Sequence, residues 1–497
     1  MNKTNIFIIS VILISAGAYM TLEGRGDSNT EYPLSGEIAF DGTEFEPKEV
    51  TIKLGGIITF TNNSNKDFWP ASNLHPTHNI YGEFDPRKPI SPSESFTFTF
   101  EKSGVWGFHD HLTPTAKGTI IVAANKNFKN YRNTIREADK RCEDPDVTKL
   151  QCWEGMVDAT VAEKDLTSAL ELIANLYSTE PDFRVECHGF VHRLGENAYQ
   201  KFANEQSIKL SPKTAYCAYG FYHGFMETLL HTSGNPQEAR DFCDYADREL
   251  RTQTTDAGGA CYHGIGHGAV DGSDPTAWGD PIKMIEPGME ICEGVAIEEH
   301  PLYRCVTGVF NAIEILSIDS QYKLFDLQRD PFSLCHNQIY AYKEPCYTNM
   351  LPAVMRNYNG DFYKIARAIE TEVREDENYK IRNMVIMGLF HEPIRIRSNN
   401  PNANFDDFIE MCRTLNEKSR IPCIKGLSGG HMKYGEPQKE YIKSLEFCAN
   451  KLLREDESET CYSLVVGILR IWYTEQKTRE ICLSVPEKYK DYCPVKI

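Results

Sequence analysis

Two short histidine motifs in the first quarter of the chain offer ligands for a metal ion. His75 and His78 form an H-x-x-H pair, and His109 and His111 form an H-x-H pair. Residues two apart point to the same side of an extended backbone, so His109 and His111 can face one site. Imidazole nitrogens suit Cu(II) and Zn(II), which are borderline acids. These four side chains are predicted to bind copper, with zinc as the alternative. The competing interpretation is that they are partly exposed loop residues in a domain that holds no metal.

A second group of histidines recurs in the middle of the chain at helical spacing. Histidines four residues apart, such as His188 and His192, share one face of a helix and form a pre-arranged chelate. Three members occupy the same position in three similar segments, so stacked segments would bring them together, with Glu196 and Glu227 close by. The candidate second metal site is His188, His192, His223, His263 and His267. The alternative is that these imidazoles are buried structural groups, since repeats inherit consensus residues whether or not they perform chemistry.

Strand-type sequence surrounds the first histidine group. Residues 33–124 contain five stretches of β-branched and aromatic residues, separated by Gly, Pro and Asn: GEIAF, EVTIKL, IITFTN, SFTFTF and TIIV. Such residues favour strands, and short strands at this spacing are typical of a sandwich or barrel. An all-β domain is therefore predicted to position these histidines.

Two stretches of this domain carry a family pattern. The first runs from Phe45-Glu46-Pro47 through Val50-Thr51-Ile52 to Ile58-Thr59-Phe60-Thr61-Asn62-Asn63, and the second runs from Gly104-Val105-Trp106-Gly107-Phe108-His109-Asp110-His111 to Gly118-Thr119-Ile120-Ile121-Val122. The first resembles the opening half of the cupredoxin (plastocyanin-like) family, and the second resembles its ligand loop and last strand. The resemblance implies a Greek-key sandwich, a copper site, and electron transfer or copper handling.

The resemblance also implies a ligand set from which this chain departs. Cupredoxins hold copper between a central His and a Cys-x-x-His…Met loop. His78 and His111 fall at the two His positions, whereas Phe108 falls at the Cys position and Ala116 at the Met position. A blue-copper centre needs the thiolate. The expectation is therefore a His-only site suited to copper handling or slow redox work.

Beyond residue 141 the hydrophobic period changes from two to about 3.6, which predicts amphipathic helices. Residues 125–141 are expected to form a connecting helix, and residues 142–497 an all-α, solenoid-like helical-repeat domain. Segments 165–177, 361–373 and 440–453 show the helical pattern most clearly. Similar cysteine-containing segments recur at steps of 32 to 44 residues, which is typical of stacked helix pairs.

All sixteen cysteines lie in this second region. Their even number and regular spacing favour eight disulfides between sequence neighbours, although other connectivities stay open. The predicted pairs are Cys142 with Cys152, Cys187 with Cys217, Cys243 with Cys261, Cys292 with Cys305, Cys335 with Cys346, Cys412 with Cys423, Cys448 with Cys461, and Cys482 with Cys493. Disulfides of this density indicate an oxidising compartment.

The N-terminal sequence indicates the cellular location of the protein, and the net charge limits the classes of binding partner. An apolar run from Ile6 to Met20 predicts that residues 1–20 are a signal peptide or an uncleaved N-terminal anchor. The protein is therefore expected to be periplasmic, at the cell surface or secreted, and to meet a membrane only through this segment. A net charge of −18 argues against a nucleic-acid partner.

Three functions remain open at this stage. The leading one is an extracytoplasmic copper-binding protein that handles copper or transfers electrons, with a redox or metal-exchange protein as partner. The second is a metalloenzyme, such as a copper-dependent oxidoreductase, whose active site is the histidine group of the helical region. The third is a surface interaction scaffold without chemistry.

Overall fold

A computed structural model describes residues 32–73, 78–123, 148–205, 208–251, 253, 256–270, 272, 274–373, 375–397, 400, 403–436 and 438–496. Four expectations fall wholly or partly outside the described residues: the signal or anchor segment (1–20), the connecting helix (125–141), His75, and the disulfide between Cys142 and Cys152.

In its described residues, the N-terminal region has eight strands in two four-stranded sheets. The strands are β1 (Ser35–Phe40), β2 (Phe45–Glu46), β3 (Glu49–Lys53), β4 (Ile57–Asn62), β5 (Pro70–Ser72), β6 (Ser95–Thr99), β7 (Gly104–Asp110) and β8 (Thr113–Ala123). One sheet has the order β2-β1-β4-β6, and the other has the order β3-β8-β7-β5. The pairs β1/β4 and β3/β8 are parallel, and the remaining pairs are antiparallel. All five predicted strands are confirmed.

The aromatic core of this region follows from the period-two pattern of its strands. On β4, Ile58 and Phe60 are fully buried, whereas Ile57 is exposed. Phe108 on β7 contacts Phe60 and Phe45, with ring centroids 5.2 and 4.9 Å apart. Alternate side chains of a strand point to opposite faces, so each strand gives one apolar face to the interior.

The C-terminal region is helical, as predicted. Its helices are α1 (Lys149–Glu163), α2 (Leu166–Thr179), α3 (Pro181–Glu205), α4 (Gly220–Ser233), α5 (Pro236–Leu250), α6 (Ala257–Gly268), α7 (Pro281–Val295), α8 (Glu299–Leu316), α9 (Phe325–Arg329), α10 (Ser333–His336), α11 (Tyr340–Asn349), α12 (Leu351–Asn357), α13 (Phe362–Glu372), α14 (Glu375–Arg397), α15 (Asp406–Thr414), α16 (Glu417–Tyr434), α17 (Glu440–Cys448), α18 (Glu455–Gly467), α19 (Leu469–Trp472) and α20 (Glu475–Ser484). The three clearest predicted segments correspond to α2, α13 and α17.

Glycines let the helices of this region pack backbone to backbone. Helices α3, α4, α6 and α8 contact one another in that order. A Cβ atom at Gly224 would overlap the carbonyl oxygen of His192, and one at Gly266 would overlap the carbonyl oxygen of Cys305. Glycine in a helix costs about 1 kcal/mol relative to alanine. Here it permits an approach that no other residue allows.

Seven of the eight predicted cysteine pairs lie at disulfide distance. They are Cys187 with Cys217, Cys243 with Cys261, Cys292 with Cys305, Cys335 with Cys346, Cys412 with Cys423, Cys448 with Cys461, and Cys482 with Cys493. Their Cα–Cα distances of 5.3 to 6.1 Å fall in the range that a disulfide spans. The structure thus places these seven sequence-neighbour pairs at disulfide distance.

The eighth pair stays a prediction. Cys152 is buried on α1, but its predicted partner Cys142 lies outside the described residues. The density of disulfides in the rest of the helical region supports an extracytoplasmic location. Across the described ranges, no helix has both the length and the apolar character needed to cross a membrane.

Candidate metal centre

Three buried histidines of the sheet region converge at one point. His78, His109 and His111 each place a donor atom within 4.8 Å of the others. The ring of His78 lies 5.2 Å from that of His109 and 5.0 Å from that of His111, measured between centroids. Across the described ranges, no other three His, Cys, Asp or Glu residues bring their donor atoms this close together. His75 lies outside the described residues.

Local irregularities of the backbone orient the three histidine side chains toward one another. His109 lies near the end of β7, where the register with β8 shifts between His109 and Asp110. His111 follows immediately, and its N–H donates to the carbonyl oxygen of Trp69 beside β5. His78 has a left-handed backbone conformation, with φ of 50°, just before a short 3₁₀ turn. Non-glycine residues seldom adopt positive φ, and such residues cluster at functional sites.

A buried carboxylate holds the outer nitrogen of His78. Nδ1 of His78 lies 2.6 Å from Oδ2 of Asp85. Oδ1 of the same carboxylate accepts hydrogen bonds from the Trp69 indole and from the Arg87 backbone N–H, both at 2.8 Å. Burial alone would raise the pKa of Asp85, but its hydrogen bonds with His78, Arg87 and Trp69 outweigh burial and lower that pKa. Asp85 is therefore a carboxylate that fixes the ring and leaves Nε2 facing inward.

The other two imidazoles are held in the same way. Nδ1 of His109 lies 3.2 Å from Oδ1 of Asn73, and Nε2 of His111 lies 3.1 Å from the hydroxyl of Tyr322. The inward nitrogens of His78 and His111 are 3.1 Å apart. Metal-binding histidines almost always bond their second nitrogen to a carboxylate, carbonyl or similar group, which fixes the ring orientation. All three rings have such a partner.

The helical region closes one side of this site. Tyr322 follows α8, and it lines a small cavity together with Trp69, His111 and Leu316. Trp69 packs against the His111 ring, with centroids 4.3 Å apart. The candidate metal centre therefore lies at the contact between the sheet and helical regions, beside this cavity.

Phe108 does not face the histidines. Its side chain is fully buried among the aromatic residues between the sheets. The next residue, His109, turns to the opposite side of β7 and joins the site. Ala116 on β8 is also buried. The three nearby donors are thus imidazole nitrogens without a thiolate, a set that fits Cu(II) or Zn(II) and lacks the sulfur of a blue-copper centre.

The structure also brings the five predicted histidines of the helical region together. We call His188, His192, His223, His263 and His267 the helical histidine cluster. They lie on α3, α4 and α6, and neighbouring rings have centroids 4.8 to 6.4 Å apart. Their donor atoms converge less tightly than those of the first site.

Two members of this cluster bond neighbouring helical segments. Nδ1 of His188 lies 2.9 Å from the carbonyl oxygen of Cys217, and Nδ1 of His263 lies 2.7 Å from the hydroxyl of Thr307. Burial lowers the pKa of His188 to about 4 and lowers that of His263 well below its ordinary value. These two imidazoles are neutral hydrogen-bonding groups.

His192 lies between two carboxylates. Its Nδ1 is 3.2 Å from Glu196, and its Nε2 is 3.0 Å from Glu227. Burial alone would lower the pKa of His192, but the hydrogen bonds and charges of both glutamates raise it to about 9. Beside it, burial and the neighbouring imidazoles lower the pKa of His223 well below its ordinary value. These pKa shifts favour an imidazolium at His192 and neutral rings at His188, His223 and His263.

Sequence reasoning missed two residues of the first site. Asn73 belongs to no motif, and Tyr322 lies 211 residues from His111. It also missed that Glu196, expected only to lie near the helical cluster, pairs with Lys117 of β8 at 2.7 Å. Contacts between distant segments of this kind leave no local pattern in the sequence.

No protein-family model matches the chain, and no curated protein matches it. Among solved structures, it is similar to a purple cupredoxin from Nitrosopumilus maritimus, with 20% identity over 18% of this chain and 99% of that chain, at a TM-score of 0.16. An amicyanin mutant in its Cu(I) form shows 17% identity over 18% of this chain and 82% of that chain, at a TM-score of 0.16. A reduced amicyanin mutant shows 14% identity over 20% of this chain and 95% of that chain, at the same TM-score of 0.16. Similarities this low do not establish the family of the chain.

Proposed function

We propose that this protein is an extracytoplasmic copper-binding protein whose metal is held by His78, His109 and His111. The observation that carries the proposal is the orientation of the three rings, because a buried partner holds the outer nitrogen of each. The inner donor atoms of the three rings lie within 4.8 Å of one another. The proposal includes a cupredoxin-like Greek-key sandwich over residues 33–124 and a helical-repeat domain over residues 142–497.

The residues of this site define what kind of copper chemistry it supports. Copper bound there would supply a one-electron redox couple. Asp85, Asn73 and Tyr322 orient the ligands, and Trp69 packs against the ring of His111. Without a thiolate, nothing favours fast type 1 electron transfer. Copper handling through a metal-exchange partner, or slow redox work with a redox partner, is the function that this donor set supports best.

Zinc is the alternative metal, and a metal titration distinguishes the two. The exported full chain is stripped with a chelator and titrated with Cu(II) and then Zn(II), while bound metal is counted by mass spectrometry. A competition experiment then ranks the two affinities. We expect copper to bind more tightly, in line with the general order of affinities for nitrogen sites.

Two variants and a matched control connect this binding to the site. His78→Ala and His111→Ala should each remove the copper that gives a type 2 EPR spectrum. His336→Ala changes a half-exposed histidine on α10 that pairs with Glu372 and belongs to neither histidine group, and it should leave that copper in place. Type 2 copper that keeps the same stoichiometry and the same EPR spectrum in both site variants would contradict the proposal. Failure of the full chain to bind any metal would favour the scaffold interpretation.

A further inference from the structure

We propose that the helical histidine cluster contains a second metal site, for a divalent transition-metal ion, formed by His192, His223, His267 and Glu227. This site is independent of the copper site proposed above. It shares no ligand with that site and lies on α3, α4 and α6.

The first support is a pattern that recurs on two consecutive helices. His192 and Glu196 on α3 are four residues apart, as are His223 and Glu227 on α4. Residues four apart share a helix face, so each of these two helices offers an imidazole and a carboxylate on one side. A structural imidazole needs no carboxylate one turn later, whereas a cation site does benefit from one.

The second support is the close approach of the three helices. A Cβ atom at Gly224 would overlap the backbone carbonyl of His192, and a Cβ atom at Gly268 would lie 2.6 Å from Cα of Glu227. As a result, the rings of His223 and His267 lie 4.8 Å apart, and each lies 6.4 Å from the ring of His192. Metal sites in helical bundles are built in this way, from inward side chains on facing helices.

The third support is a buried nitrogen that no hydrogen bond accounts for. His223 is 6% exposed, and its Nδ1 has no hydrogen-bond partner among the described residues. A buried polar atom left unsatisfied costs about 1–3 kcal/mol. His188 and His263, at the edges of the cluster, do have such partners. The unsatisfied nitrogen therefore belongs to the repeat position that the proposal assigns to the metal.

The fourth support is the arrangement of the carboxylates around His192. Glu196 holds Nδ1 at 3.2 Å and is itself held by Lys117 at 2.7 Å. Nε2 lies 3.0 Å from Glu227. As Asp85 does for His78, Glu196 fixes Nδ1 of His192, so that Nε2 is the nitrogen on the side of Glu227. Three imidazoles and one carboxylate suit zinc and neighbouring divalent metals.

Metal binding requires a small rearrangement of these side chains. No three donors of the cluster lie within 4.8 Å of one another in the described residues. The ion would take the place of the proton between Nε2 of His192 and Glu227, and it would draw His223 and His267 inward by side-chain rotation. The proton released at Nε2 passes to solvent.

The test uses the full chain carrying His78→Ala and His111→Ala, which removes the first site. After dialysis against Co(II) or Zn(II), bound metal is counted by mass spectrometry, and the visible absorption of Co(II) reports its coordination. We expect one equivalent to remain. Adding His223→Gln or His267→Gln should abolish it, whereas the matched control His188→Gln should keep it. Absence of metal in the parent chain, or its retention in both Gln variants, would overturn the proposal in favour of a purely structural charge network.

A second measurement does not need the Gln variants, and it tests the site even if those variants fail to fold. In the chain lacking only the first site, Zn(II) should raise the midpoint of thermal unfolding, because a ligand that binds the native state stabilises it by mass action. No rise at millimolar Zn(II) would overturn the second site. Because the first site is absent from this chain, the result does not depend on whether the copper proposal holds.

Discussion

Asp85, Asn73 and Tyr322 decide which nitrogen of each imidazole is available to a metal ion. Asp85 does so with a short, buried contact of 2.6 Å to His78. A substitution at one of these residues leaves all three histidine ligands in the chain. Its effect on metal affinity therefore measures how much the orientation of the rings contributes. At the scale of single residues, the site is therefore sensitive to side chains that never touch the metal.

The first prediction follows from this dependence. Asp85→Asn removes the negative charge that stabilises the His78 tautomer, and changes of this kind typically weaken metal binding about 10- to 100-fold. We expect the same Cu(II) stoichiometry with an affinity lower by that factor, measured by competition with a chelator. The control is Asp41→Asn, which changes an aspartate held only by local hydrogen bonds of its own turn. Equal affinities for Asp85→Asn and the unaltered chain would contradict the assigned role.

Spacing and family resemblance together predicted all three converging histidines. His78 and His111 fell at expected ligand positions, and the H-x-H pattern added His109. The resemblance placed Phe108 at a ligand position, yet that side chain packs between the sheets because residues alternate along β7. Asn73 could not be predicted, because its contact with His109 depends on how β5 pairs with β7.

At the scale of elements, glycines and ion pairs control how the helices pack. Strands were predictable from their alternating residues, and helices from their 3.6-residue period. The two-residue β2 and three-residue β5 were not, because such short segments carry no period. The stacking of α3, α4 and α6 was suggested by repeated segments, but the closeness of the helices is evident only in the structure.

The second prediction concerns this closeness. Gly224→Ala places a methyl group on the carbonyl oxygen of His192, and overpacking of this kind costs about 1–3 kcal/mol. We expect a lower free energy of unfolding, measured by urea denaturation. Gly294→Ala in α7 is the matched control, because nothing lies within 4 Å of its added Cβ. That change should be neutral or stabilising by up to about 1 kcal/mol, from helix propensity. Equal effects of the two changes would contradict the packing role.

The third prediction concerns an ion-pair network that joins three helices. Glu457 on α18 is fully buried and pairs with Arg413 on α15 at 2.6 Å and with Arg420 on α16 at 2.9 Å. Burial alone would raise the pKa of Glu457, but hydrogen bonds from Arg413, the Arg454 N–H and Arg420 outweigh burial and hold its pKa at about 2. The network therefore stabilises the fold above the ordinary pKa of 4.5.

This stabilisation is lost as the pH falls through about 2, because the folded-state pKa is the lowered one. Glu457→Gln should reduce the free energy of unfolding at pH 7 by about 2–3 kcal/mol, less than for a fully buried pair because both arginines are partly exposed. The difference between the two proteins should shrink between pH 5 and pH 2. A difference that stays constant with pH would show that Glu457 acts by packing and not by charge.

At the scale of the whole molecule, the helical region completes a site that the sheet region begins. The hydroxyl of Tyr322 lies 3.1 Å from Nε2 of His111, and Lys117 of β8 forms an ion pair with Glu196 of α3. Asn73, which orients His109, also donates to Glu154 of α1 at 2.7 Å. A two-part organisation was predictable from the change in hydrophobic period and the onset of cysteines. The joint site was not, because no motif links residues so far apart in the chain.

The fourth prediction tests this joint site. Tyr322→Phe removes one hydroxyl from the helical region and leaves the three histidines unchanged. We expect an altered Cu(II) EPR spectrum and an affinity about 10-fold lower, within the range for loss of an orienting partner. Tyr358→Phe, on a partly exposed tyrosine after α12, is the control. An unchanged spectrum and affinity would mean that the helical region does not contribute to the metal site.

The most direct test of the central claim counts the nitrogen ligands of bound copper. The full chain is labelled with ¹⁵N-histidine and loaded with one equivalent of Cu(II), and pulsed EPR resolves the coupled nitrogens. The same measurement is made on the chain carrying His223→Gln and His267→Gln, because that chain lacks the second candidate metal site. We predict a type 2 spectrum with three imidazole nitrogens, and two in His109→Ala. A spectrum without imidazole coupling, or one unchanged by His109→Ala, would contradict the assignment of His78, His109 and His111 as the copper site.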